Sequence, residues 1–355
     1  MTLNSHIPKE VQDILHKGTV IPALPLALNR QRKLDVRRQR ALIRYYLDAG
    51  AGGIAVGVHT TQFAVHEPAT NMYPALLELS KDELDRIISG SGKAIIRIAG
   101  IIGNTQQAVK EAELALKNGF QAALLSLAAF HDASNETIIQ HCRTIAEMIP
   151  LIGFYLQPSV GGRKLDIDFW REFGLIENVV AIKIAPFNRY HTMDVIRGIV
   201  ESGRSEEIAL YTGNDDNILV DLLTEFQVPY KGSIIRKRIV GGLLGHWAVW
   251  THSAVKQLQA VKKGEFDNDL KKALTLASQI TDCNAAFFDV HNNFAGCIAG
   301  LHEVLRRQGL LEGIWTLDRN EKLSPGQKEE IDRVYAAYPG LNDDAFIEEN
   351  IGRWL

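Results

Sequence analysis

Short, uninterrupted apolar runs recur along this chain, separated by amphipathic stretches with helix punctuation. The runs are Val20–Leu28, Gly53–Val58, Ala94–Ala99, Ala122–Leu127, Leu151–Leu156, Val179–Ala185 and Ile208–Tyr211. From the third onward their centres fall roughly 27–30 residues apart, the length of one βα unit. Continuous rather than alternating apolarity predicts strands buried on both faces, as in a parallel sheet. An eighth strand is expected within Gly232–Leu244, although Arg236-Lys237-Arg238 interrupts its apolar character.

Between the runs, Ser80-Lys-Asp-Glu83 and Asn104-Thr-Gln-Gln107 read as capping boxes, and Gly119 reads as a helix stop. Helical periodicity resumes from about His246 to Lys263, then over Asn268–Ala285, Cys297–Gln308 and Pro325–Tyr338. Eight strands in this rhythm favour a (βα)8 TIM barrel of the α/β class over a doubly wound open sheet. The expected organisation is an N-terminal extension (1–17), the barrel (18–262) and a small C-terminal helical domain (263–355).

The chain has 355 residues, 46% of them hydrophobic, enough for a barrel with an appendage. A net charge of −3 argues against a nucleic-acid or membrane-surface partner. The basic stretch Arg30–Arg40 reads as a solvated helix start and its approach. Three widely spaced cysteines, Cys142, Cys283 and Cys297, form no CxxC pair and point to reduced thiols. With no signal-peptide pattern and no apolar run of membrane-spanning length, a cytoplasmic protein is expected.

Candidate chemistry collects where a barrel keeps it, at strand C-termini and the loops that follow. Lys183 lies inside the apolar run Val179–Ala185, where an ammonium has no evident solvent. Burial disfavours the charged form, and a neutral amine is what Schiff-base chemistry requires. Tyr155 closes the preceding strand and would meet Lys183 if both point inward. The phenol would then shuttle protons while the lysine attacks a ketone. His59-Thr60-Thr61-Gln62 follows strand two, and Thr212-Gly213-Asn214-Asp215-Asp216 follows strand seven.

These residues resemble the dihydrodipicolinate synthase and N-acetylneuraminate lyase superfamily, pyruvate-dependent class I aldolases on a (βα)8 barrel. Ile182-Lys183-Ile184-Ala185 matches the family's Ile-Lys-Glu-Ala strand. Tyr155-Leu-Gln-Pro158, with its loop to Gly162, matches the Tyr-Asn-x-Pro motif. Ala99-Gly100-Ile-Ile-Gly103 matches the Ala-Gly-x-Gly turn with one extra residue, and His59-Thr60-Thr61-Gln62 matches the Gly-Thr-Thr-Gly-Glu loop loosely. The resemblance runs from about residue 18 to 260. It implies a lysine imine at Lys183 with pyruvate or another 2-oxo acid, Tyr155 as general acid/base, and Thr60 and Thr61 on the substrate carboxylate. Gly162 and Gly213 complete the implied substrate-binding set. No metal or organic cofactor is implied; an aldehyde second substrate and a homodimer or homotetramer are.

Three departures accompany the match. The synthase's carboxylate-binding Arg is replaced by Val160, with Arg163 out of register. Its relay tyrosine corresponds to Phe130, and the loop Glu becomes Gln62. These losses argue against the lysine-biosynthetic synthase reaction as such. They leave open an aldolase with another acceptor, a Schiff-base dehydratase of a sugar acid, or a ligand-binding barrel without turnover. A metal-dependent aldolase using His59 and Asp215 is a further alternative. Asp215-Asp216 reads more simply as a helix N-cap, and Tyr155 alone as a core aromatic.

Overall fold

The computed structural model describes residues 7–355. Eight strands form the barrel wall in parallel. They are β1 (Val20–Pro22), β2 (Gly53–Val56), β3 (Ile96–Ile101), β4 (Ala122–Leu125), β5 (Leu151–Leu156), β6 (Val179–Ala185), β7 (Ala209–Thr212) and the end of β9 (Ser233–Leu244). Parallel pairing runs β2 to β7 in sequence, then β7 to β9 to β1; a bridge between Ala23 and Ala55 closes the circle. The segment that precedes the eighth wall strand was not foreseen. Strand β8 (Glu225–Tyr230) pairs antiparallel with Ser233–Arg238, forming a hairpin outside the wall. Arg236-Lys237-Arg238 therefore sits in the hairpin, and only Ile239–Gly242 pairs with β7.

Helices α2 (Val36–Asp48), α3 (Tyr73–Ser91), α4 (Thr105–Lys117), α5 (Asn135–Ala146), α6 (Ile167–Gly174), α7 (Arg189–Glu201), α8 (Ile218–Leu223) and α9 (Thr251–Lys262) alternate with the strands. Asn104 caps α4, its side chain accepting from Gln107 N at 3.0 Å, and Gly119 follows that helix with a φ of +70°. Ser80-Glu83 does not start a helix: both residues lie inside α3, buried. The Glu83 carboxylate instead accepts from Arg40 (2.9 Å), Arg44 (2.7 Å) and Arg86, since a buried charge must be paired. Apolar side chains fill two shells, one between wall and helices and one inside the barrel. Helix α1 (Lys9–Lys17) contributes Val11 and Leu15 to the inner shell, and the Tyr211 hydroxyl donates to Leu15 O at 2.8 Å.

Beyond the barrel lie α10 (Leu270–Phe287), α11 (Cys297–Arg307), α12 (Gln327–Ala337) and α13 (Asp344–Trp354), the last without a counterpart in the sequence pattern. The basic stretch is exposed at Arg30, Lys33 and Arg37, as expected of a solvated helix start, but several of its guanidinium groups also reach the C-terminal helices. Arg32 donates to Thr316 O, Arg38 to Gly309 O (2.6 Å) and Arg37 to Leu355 O (3.0 Å). Gly309 follows α11 and Leu355 ends α13, so guanidinium groups meet the negative ends of two helices.

Candidate active site

Strand β6 carries Lys183 into the barrel. Its backbone neighbours in register are Phe154 on β5 and Tyr211 on β7. Residues in register share a face, so Lys183 and Phe154 point inward together. The amine Nζ lies 4.4 Å from the centre of the Phe154 ring, in cation–π position. The stem of the lysine passes over Gly213: a Cβ there would stand 2.7 Å from Lys183 Cε and 2.8 Å from Ala185 Cβ. Glycine at this position makes room for the amine's path rather than offering a turn.

The amine opens into a small cavity at the C-terminal end of the strands. His59, Thr60, Gln157, Asp215 and Cys297 bring the polar atoms. Burial pushes the Lys183 ammonium down to about 8, opposed by the nearby Asp215 carboxylate. Burial likewise raises Asp215 to about 7, opposed by a backbone hydrogen bond and by Lys183. Asp215 is not a helix N-cap: its Oδ1 accepts from His246 N at 2.8 Å, and Asn217 stands before α8. Burial, reinforced by Lys183, lowers His59 to about 4, so its imidazole is neutral at pH 7. Behind this group the buried Asp221 carboxylate accepts from Thr212 Oγ1 (2.7 Å) and Asn214 Nδ2 (2.9 Å). Asn214 Oδ1 in turn accepts from Phe187 N at 3.0 Å. One network thus fixes the loops after β6 and β7.

The structure does not bring Tyr155 to Lys183. Tyr155 is in register with Ile184 and faces outward, packing on Trp170 of α6 (5.4 Å between ring centres) and His191 of α7 (5.8 Å). Its hydroxyl accepts from Leu165 N at 3.2 Å. Phe154 holds the inward place, so that wall presents no phenol to the amine. The two threonines also part company. Thr60 lines the cavity, whereas the Thr61 hydroxyl donates to Leu24 O (2.6 Å) and accepts from Gly57 N (3.1 Å). Gly162 lies outside the lysine's cavity, where any Cβ would strike Leu156 O at 1.8 Å. Sequence reasoning had no signal for Phe288, Phe294 and Cys297, which reach the cavity from the segment between α10 and α11 and the start of α11.

The family model for the dihydrodipicolinate synthetase family matches residues 16–227, more than half of the chain and the part that builds β1 to β7. The chain belongs to this family. Among relatives, a 4-hydroxy-tetrahydrodipicolinate synthase of Staphylococcus saprophyticus is 26% identical over 53% of this chain and 60% of the relative. An N-acetylneuraminate lyase of Citrobacter koseri is 24% identical over 58% of this chain and 65% of the relative. The chain thus matches less than two thirds of the length of these relatives. The fold also matches dihydrodipicolinate synthase from Oceanobacillus iheyensis, with a TM-score of 0.73 at 16% identity, covering 93% of this chain and 99% of that one. A prophage protein of the dihydrodipicolinic acid synthase family from E. coli K12, solved in complex with pyruvate, gives a TM-score of 0.73 at 16% identity over 91% and 98%.

The places where this member departs from the family motifs are occupied structurally. Phe130 packs its ring on His141 with centres 4.4 Å apart. The Arg163 guanidinium donates to Phe130 O and to Ala133 O (3.0 Å). Gln62, at a φ of +73°, accepts from Leu317 N at 2.7 Å, tying the loop after β2 to the C-terminal segment.

Proposed function

We propose that this chain is a Schiff-base-forming lyase that joins or splits carbon–carbon bonds through a Lys183 imine with pyruvate or another 2-oxo acid. The observation that carries the reading is the buried Lys183 amine, inward-facing at the barrel mouth and held down to about 8 beside Asp215. At pH 7 a lysine of that acidity is about one-tenth neutral, against roughly three parts in ten thousand for an ordinary one. Family membership, and a pyruvate complex of a structural neighbour, support the choice of 2-oxo acid.

In this mechanism the neutral amine attacks the keto carbon and forms a carbinolamine. Asp215, rather than Tyr155, carries the proton that lets hydroxide leave as water. Thr60 donates its hydroxyl to the 2-oxo acid's carboxylate. Loss of a proton from the carbon next to the iminium gives an enamine, whose carbon adds to an aldehyde carbonyl while the aldehyde oxygen takes a proton. Water then hydrolyses the imine, releasing product and the free lysine. The reverse sequence is the cleavage.

The test is incubation with pyruvate, reduction with borohydride, intact mass and peptide mapping. The expected result is one pyruvate-derived adduct on the Lys183 peptide, absent in a folded Lys183→Ala variant. An unmodified protein, or an adduct that survives Lys183→Ala, would remove the reading.

A further inference from the structure

The walls of the cavity say more about the second substrate than the lysine does. Leu156 and Val160 line it on the β5 side. Phe187 comes from the loop after β6, and Phe294 from the segment before α11, their ring centres 6.0 Å apart and edge to face at 71°. Phe288 stands against Gly245, where a Cβ would lie 2.8 Å from the ring. Two of these aromatics are held in unusual backbone: Phe187 has a φ of +49° and Phe294 of +66°. A left-handed conformation is unfavourable for a bulky residue, and such strain persists where its placement serves a site.

The polar inventory is short by comparison. Among the described lining residues the ionisable side chains are His59, Lys183, Asp215 and Cys297. Lys183 is consumed by the imine, and His59 is neutral. Arg163, the arginine nearest the β5 loop in sequence, spends its guanidinium on the carbonyls of Phe130 and Ala133. A second carboxylate or phosphate on the acceptor would therefore enter without a cationic partner, and a row of hydroxyls would find few acceptors. Burying either unpaired is unfavourable, whereas apolar surface gains on leaving water. The cavity is only about 40 Å3, so side chains around it must part to admit a guest.

We infer that the acceptor is an uncharged aldehyde bearing an aryl group, seated against Phe187, Phe288 and Phe294. This rests on the Schiff-base reading of Lys183. The enamine carbon bonds to the aldehyde carbon as the iminium at Lys183 re-forms, the carbonyl oxygen takes a proton from the Asp215 carboxyl to become a hydroxyl, and the aryl ring lies on the aromatic wall. Gln157 is the neutral side chain at hand for the new hydroxyl.

The experiment first establishes the borohydride-trapped pyruvate adduct. The full chain is then given pyruvate with benzaldehyde, succinic semialdehyde or glyceraldehyde, and aldol product is measured by mass. The expected result is a kcat/KM for benzaldehyde at least about 100-fold above the other two, with that preference reduced about tenfold or more in Phe294→Ala. An adduct-forming protein that prefers the charged or hydroxylated aldehyde, or turns over none of the three, overturns the inference and leaves the imine assignment standing. Absence of the adduct overturns both.

Discussion

At the scale of single residues, Lys183 and Asp215 are one unit. Each lies in the cavity with its charged form disfavoured by burial, and each charge partly relieves the other. Imine formation needs the neutral amine, so its rate with pyruvate should climb as pH rises through about 8. Asp215→Asn removes the carboxylate that opposes desolvation of Lys183. The midpoint should then move to lower pH while the maximal rate falls about 10²–10⁴-fold, the usual contribution of a proton-transfer group. Stopped-flow trapping across pH 6–10 reads both, and an unmoved midpoint would show that Asp215 does not feel the amine. Tyr155 makes the opposite case. Tyr155→Phe should change imine formation by less than about tenfold, because its hydroxyl is behind the wall. It should still lower stability by about 1–2 kcal/mol, since Leu165 N loses its acceptor. Denaturant melts and the trapping rate separate the two effects.

At the scale of elements, what the sequence makes legible is the beat of the wall strands and the oddity of a charge within one of them. What it leaves hidden is which way a side chain faces. Both faces of a barrel strand are buried, so Leu151-Ile-Gly-Phe-Tyr-Leu156 offers no polar alternation to mark the inner face. The register of β5 against β6 shifts between Leu151 and Ile152, and a slip of one residue exchanges the faces. Phe154 consequently meets Lys183, and Tyr155 meets α6 and α7. The β8–β9 hairpin was hidden for a related reason. Its apolar residues, Phe226, Val228, Ile234 and Ile235, are too few and too interrupted by charge to separate from the wall strand that follows. Gly213 shows how closely neighbouring strands are fitted to the lysine. Gly213→Ala should displace Lys183 Cε and slow adduct formation by at least about tenfold, with an overpacking cost of about 1–3 kcal/mol. Adduct kinetics equal to those of the parent would mean the lysine stem has another path.

At the scale of the whole molecule, the C-terminal helices finish the site instead of merely packing beside it. Phe288, Phe294 and Cys297 come from the stretch where α10 gives way to α11, and that stretch is held by one carboxylate. Asp289, itself at a φ of +56°, accepts from Gly296 N (2.9 Å), Ser324 Oγ (2.5 Å) and Asn292 Nδ2 (2.7 Å). Gln327 of α12 secures the same turn from behind, its Nε2 donating to Gly296 O at 3.0 Å. Asp289 makes no contact with the lysine in this arrangement; it acts by fixing Phe294 over the mouth. Asp289→Ala should therefore raise KM for the aldehyde about tenfold or more, while the rate of pyruvate imine formation falls much less. Loss of these hydrogen bonds should also lower the thermal midpoint, so the comparison belongs well below it, with Asp289→Asn as the conservative partner. Asn retains an acceptor oxygen and should recover most of the aldehyde KM. Equal losses in both steps would make the turn a general support of the barrel mouth, and an unchanged aldehyde KM would detach the C-terminal segment from substrate choice altogether.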